Sequence, residues 1–189
     1  MNLPNIISLG RLIITPIILW LMLTGAYPGA FWLFFAAAAS DAIDGAIAKR
    51  FDMVTVLGGY LDPIADKAML VGVFLVLGSL GHLPLWIVLM VVSRDALIIG
   101  GALLLWMLER SFWMKPLMVS KVNTVCQFSL AAIVLGGLGL APMHDFTVTL
   151  GVMMDILMIV VAATTLVSGA AYLVMWARRV NHNDGGGET

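Results

Sequence analysis

The chain has 189 residues, of which 61% are hydrophobic and only 11% charged, with a net charge of −1 and a mean hydropathy of +1.04. A water-soluble domain carries about 25% charged residues, so water is not the main solvent of this chain, and the near-neutral balance excludes the basic footprint of a nucleic-acid binder. One cysteine, Cys126, excludes an intrachain disulfide and a CxxC site; it reads as a small buried hydrophobe.

A membrane-spanning helix needs about 20 mostly apolar residues. The first apolar run, Leu9–Gly25, follows a start without basic residues and is not followed by a small-residue cleavage pattern, so it reads as a retained helix rather than a signal peptide. Gly29–Ala48, Leu57–Leu80, Leu83–Leu108, Met118–Leu140 and Phe146–Trp176 follow, and the last is long enough to tilt or to run past the bilayer. Tyr27-Pro28-Gly29, Gly81-His82-Leu83-Pro84 and Ala141-Pro142-Met143-His144-Asp145 are turn-like connections. The expected architecture is an all-α integral membrane protein of six transmembrane helices. It forms a single domain over residues 1–180, and the polar, Gly-rich stretch 181–189 is a flexible tail.

Three of the connections hold no Lys or Arg, whereas Arg11, Lys49, Arg50, Arg110, Lys115, Arg178 and Arg179 all fall on the opposite side. Basic residues stay cytoplasmic, so both termini are expected in the cytoplasm, in keeping with an even number of spans. His82, His144 and His182 share no metal-ligand spacing and read as solvated loop or tail residues.

Charges inside apolar segments are the informative residues, because each costs about 2.5–3.5 kcal/mol at mid-helix and marks a functional site by default. The second segment carries Asp41 and Asp44, the third Asp62, Asp66 and Lys67, the fourth Arg94 and Asp95, and Lys121 opens the fifth. Asp41 and Asp44 are i,i+3 and Asp62 and Asp66 i,i+4, so each pair shares a helix face. Both pairs lie toward the cytoplasmic ends of antiparallel helices joined by a short stretch, which predicts a four-carboxylate cluster. Such a cluster needs compensating charge, and its oxygen-only donors suit Mg²⁺, Mn²⁺ or Ca²⁺ rather than zinc or iron. An internal ion-pair network competes with this reading. It does not account for the excess of acids in the cluster, but it is a serious alternative for Arg94 with Asp95. Gly45, Ala48 and Gly58 fit two readings, close helix packing or room for a flat ligand.

The run Asp41-Ala-Ile-Asp44-Gly45-Ala-Ile-Ala48-Lys49, followed by Gly58, Asp62 and Asp66, resembles the signature D-x2-D-G-x2-A-R-x8-G-x3-D-x3-D of the CDP-alcohol phosphatidyltransferases. Every fixed position matches but one: Lys49 replaces Arg and cannot supply its bidentate fork. The resemblance implies a six-helix homodimer in which Asp41, Asp44, Asp62 and Asp66 bind two divalent cations, Mg²⁺ or Mn²⁺. It also implies that Gly45, Ala48 and Gly58 accommodate the cytidine side of a CDP-lipid, that Lys49 and Thr55 contact its CDP moiety, and that Asp66 is the general base.

Two further stretches, Ser93-Arg94-Asp95 and Ser120-Lys121-Val122-Asn123-Thr124 with Gln127, resemble the CMP-forming cardiolipin synthases within that family. Relatives that make phosphatidylglycerol phosphate carry additional cations where this chain has Ala102 and Asn123. A dianionic glycerol 3-phosphate calls for several cations, whereas the monoanionic phosphodiester of phosphatidylglycerol calls for fewer. The expectation is therefore transfer from CDP-diacylglycerol to phosphatidylglycerol, with Arg94, Asp95, Lys121 and Asn123 at the acceptor, in a bacterial inner membrane. Transfer to glycerol 3-phosphate is the alternative. An intramembrane prenyltransferase is a more distant reading, since those bundles resemble longer ones with an Asn in the first acidic motif. So is a cation transporter, for which no inverted repeat is visible.

Overall fold

A computed structural model describes the backbone of residues 3–50, 56–107, 118–140 and 144–181, and the side chains of 9–40, 65–101, 118–140 and 151–175. The described elements are six α-helices: α1 Leu3–Leu23, α2 Tyr27–Arg50, α3 Val56–Ser79, α4 Leu85–Met107, α5 Met118–Leu140 and α6 His144–Asn181. They follow the six apolar segments, with shifted ends. Tyr27 and Pro28 belong to α2 rather than to a turn, because proline in a first turn gives up an N–H that has no partner there anyway.

Two of the turns close in the same way. At Gly25 and Gly81, both with φ of 77°, the chain enters the left-handed region that glycine adopts without steric cost. The N–H after each glycine then bonds back to the helix, Ala26 to the Leu21 carbonyl at 2.8 Å and His82 to the Leu77 carbonyl at 2.9 Å. His82, expected as a solvated loop residue, sits in the second turn and is half-buried. Its Nε2 lies 3.1 Å from the Tyr27 hydroxyl, and the two rings meet edge to face, tying the first turn to the second.

The helices close in a ring: α1 packs on α2, α2 on α5, α5 on α6, α6 on α4, α4 on α3 and α3 on α1, and α3 also touches α5 across it. Small residues permit the close approaches. A Cβ on Gly72 would meet Leu19 of α1 at 3.0 Å, and one on Gly139 would meet the Tyr27–Pro28 backbone of α2 at 3.0 Å. Among the described contacts α2 and α3 each meet α1 and α5 rather than one another. The α2–α3 pairing expected from the short connection falls on residues outside the described side chains.

Apolar and polar side chains are distributed unusually. Phe34, Met69, Phe74, Leu77 and Leu130 fill the interior, yet Arg11, Arg94, Asp95, Asn123, Gln127 and Ser168 are buried with them, while Trp20, Trp32, Leu85, Trp86, Leu89 and Ile159 face outward. Two described stretches, Met118–Leu140 and Gly151–Met175, are long and apolar enough to cross a membrane.

Candidate active site

Arg11 lies in an apolar run and would be costly to bury alone. α1 is held locally where the Thr15 hydroxyl donates to the Arg11 carbonyl at 2.8 Å. The Arg11 side chain is 3% exposed, and its guanidinium pairs with the carboxylate of Asp66 on α3, which keeps 24% exposure. Parallel packing of α1 and α3 sets this register, since Leu19 faces Gly72 two turns further on. The positive-inside rule uses Arg11 only as a flanking charge; the rule that picks out charges in apolar helices identifies it as a site residue as well.

A second cluster joins four helices. Asp95 of α4 accepts from Lys67 of α3 at 2.8 Å and from Arg94 at 2.5 Å. Arg94 also donates to the hydroxyls of Ser120 on α5 and Ser168 on α6, both at 2.6 Å. Arg94 and Asp95 do form the ion pair that sequence reasoning set against a functional role, but Asp95 is shared. Among the described residues two cations face one carboxylate, an excess of one positive charge. Lys121 is exposed on α5 and makes no described contact with this cluster.

One turn beyond Ser120, Asn123 is fully buried. Its Oδ1 lies 2.8 Å from the Thr164 hydroxyl and 2.9 Å from that of Thr165, and the Thr164 hydroxyl also reaches the Val160 carbonyl of its own helix at 2.8 Å. Among the described residues, three buried donors in this region have no hydrogen-bond partner: Arg94 Nε, Asn123 Nδ2 and Gln127 Nε2. Ser168, Thr164 and Thr165 were invisible to pattern reading, because hydroxyls in an apolar helix carry no strong signal until a partner helix is known.

Asp41, Asp44, Gly45, Ala48 and Lys49 lie on α2, and Gly58 and Asp62 on α3, so the helical spacing of each acidic pair stands. The side chains of these residues fall outside the described ones, as does all of Thr55. Among the described residues no group of three or more His, Cys, Asp or Glu is placed to hold a metal. The antiparallel register of α2 and α5, set where Gly139 meets Pro28 and Gly136 meets Phe31, brings the Asp41–Asp44 turn level with the first turns of α5.

The family model for CDP-alcohol phosphatidyltransferase matches residues 1–178. The chain belongs to the CDP-alcohol phosphatidyltransferase family. It is 36% identical, over 70% of its length, to a chloroplastic CDP-diacylglycerol–glycerol-3-phosphate 3-phosphatidyltransferase of Oryza sativa subsp. japonica, covering 45% of that protein. It is 29% identical, over 92% of its length, to a cardiolipin synthase (CMP-forming)/mitochondrial hydrolase fusion protein of Schizosaccharomyces pombe, covering 31% of it. It is 32% identical, over 52% of its length, to a cardiolipin synthase (CMP-forming) of Streptomyces coelicolor, covering 49% of it. The chain thus spans half or less of these relatives, whose names divide between glycerol-3-phosphate 3-phosphatidyltransferase and cardiolipin synthase.

Proposed function

We propose that this chain transfers a phosphatidyl group from CDP-diacylglycerol to phosphatidylglycerol, releasing CMP and forming cardiolipin within a membrane. The observation that carries the acceptor is the Lys67–Asp95–Arg94 cluster. Its surplus of one positive charge matches a monoanionic phosphodiester, and the uncharged Asn123 beside it adds no further cation.

The donor side rests on the aspartates. Asp41, Asp44, Asp62 and Asp66 would hold two divalent cations, Mg²⁺ or Mn²⁺. The fit is chemical: the set offers hard oxygen ligands alone, and the carboxylate of Asp66 is already met by a cation, Arg11. When bound, such ions neutralise charge on the phosphoryl oxygens. Asp66, still partly open, takes the proton of the acceptor's primary hydroxyl. The new P–O bond forms as the bond to CMP breaks in line, and Arg94 holds the acceptor phosphate. Gly45, Ala48, Lys49, Thr55 and Gly58 would receive the CDP end.

Inward polar groups and outward apolar ones support six membrane spans. Exposed Trp20, Trp32 and Trp86 lie near the turns at one end of the bundle, where interfacial aromatics collect. Cytoplasmic termini, a bacterial inner membrane and a homodimer complete the reading.

The deciding experiment supplies CDP-diacylglycerol with phosphatidylglycerol or with glycerol 3-phosphate and identifies the lipid formed. Cardiolipin is expected; phosphatidylglycerol phosphate as the main product overturns the acceptor and leaves the transfer chemistry standing. EDTA should stop turnover and Mg²⁺ or Mn²⁺ restore it.

A further inference from the structure

Asn123 and Gln127 are i,i+4 on α5, at 0% and 1% exposure, one and two turns from the Ser120 hydroxyl that receives Arg94. Their amide nitrogens are buried without partners among the described residues. For Asn123 the hydroxyls of Thr164 and Thr165 hold one end of the amide, its oxygen, and the other end, the –NH₂, has no partner among the described residues. A buried donor left unsatisfied is costly, and the penalty is greater where no water is at hand. Two of them stacked on one helix face, beside a cluster with surplus positive charge, form a set of donors awaiting an acceptor. The donors are neutral, so the group they match is an uncharged oxygen rather than a second phosphate.

We infer that Asn123 and Gln127 form a neutral hydrogen-bonding subsite that reads an uncharged oxygen of the acceptor lipid while Arg94 holds its phosphate. This rests on the acceptor reading above. Two oxygens of phosphatidylglycerol have the required chemistry: the secondary hydroxyl of its headgroup and the ester carbonyls of its acyl chains. Thr164, Thr165 and Ser168 then act through these groups, fixing the orientation of the amide and of the guanidinium.

The test uses the full chain with Mg²⁺ and compares kcat/KM for three acceptors: phosphatidylglycerol, the same lipid with a 1,3-propanediol headgroup, and phosphatidylglycerol with ether-linked chains. A site built to bond an oxygen rejects the analogue lacking it strongly. Wild type should therefore disfavour one analogue by about tenfold or more. Gln127→Met removes the donor at similar volume, and Asn123→Asp keeps the oxygen that accepts both threonines while removing the –NH₂. In each variant the preference should fall to within about twofold. Loss of discrimination against the propanediol lipid identifies the hydroxyl as the ligand; loss against the ether lipid identifies the carbonyl. If a variant loses all turnover, the melting-temperature shift each lipid produces gives the same comparison. Ratios unchanged in both variants, or a wild type that accepts both analogues as well as the intact lipid, overturn the subsite and leave the amides to buried water. If wild type makes no cardiolipin at all, the acceptor reading has failed instead. The comparison is then run with glycerol 3-phosphate against 1,3-propanediol monophosphate, and an unchanged ratio there overturns the subsite independently.

Discussion

The Arg11–Asp66 pair joins α1, which carries no residue of the family signature, to the last aspartate of that signature. Because Arg11 is 3% exposed and Asp66 24%, replacing Arg11 by Gln strands a partly buried carboxylate. Breaking a fully buried pair costs ~3–5 kcal/mol, and the remaining exposure of Asp66 puts this case at about 2–3 kcal/mol. A divalent cation on Asp66 would supply the missing charge. The loss of melting temperature in Arg11→Gln should therefore be larger in EDTA than in Mg²⁺; equal losses would show that Arg11 and the ions do not share the carboxylate. Asp66→Asn keeps the shape but cannot take a proton, and turnover should fall by about 10²–10⁴-fold with the protein still folded in detergent. Near-normal turnover removes Asp66 from the base role.

Individual helices gain from their small residues only where another backbone arrives. Gly139 sits at the end of α5 against the start of α2, where a Cβ would stand 3.0 Å from backbone atoms of Tyr27 and Pro28. Backbone cannot turn aside as a side chain can, so Gly139→Ala should separate the helices and cost about 1–3 kcal/mol. Gly100 of α4 has nothing within 4 Å of its Cβ position, so Gly100→Ala should be neutral or stabilising by up to ~1 kcal/mol through helix propensity alone. Thermal unfolding of the two variants side by side checks the contrast, and equal melting temperatures would contradict the packing assigned to Gly139. The same elements show where pattern reading reached its limit. Period and composition located all six helices, but they assigned Tyr27 and Pro28 to a turn and left His82 without its partner. A helix start before proline and a tyrosine–histidine contact depend on how the chain returns, not on local apolar content.

For the whole molecule, the ring order of helices carries the outward Trp20, Trp32 and Trp86 at one end and leaves the buried Arg11, Arg94 and Asp95 and the half-buried Lys67 toward the other. The absence of Lys and Arg from the turns beside Trp20, Trp32 and Trp86 predicts that this end faces away from the cytoplasm. In a Cys126→Ser background, Leu80→Cys should react with a membrane-impermeant maleimide from outside the cell and Asn183→Cys only after the membrane is opened. The reverse pattern would invert the orientation.

The sequence by itself determined the solvent of this protein, the six helices, the shared faces of the paired aspartates and the family, because hydropathy, a 3.6-residue period and a spaced motif are all written locally. It also singled out Arg94, Asp95 and Asn123 as candidates. Only the tertiary structure decided whom they meet: Asp66 with Arg11, Asp95 shared between Lys67 and Arg94, Asn123 clipped by two threonines with its –NH₂ left over. Apart from the neighbouring Arg94 and Asp95, those pairings join residues from 28 to 55 positions apart. They follow from the order in which the helices close around the ring, which no single helix can specify because its periodicity says which face is inward but not which neighbour will be there.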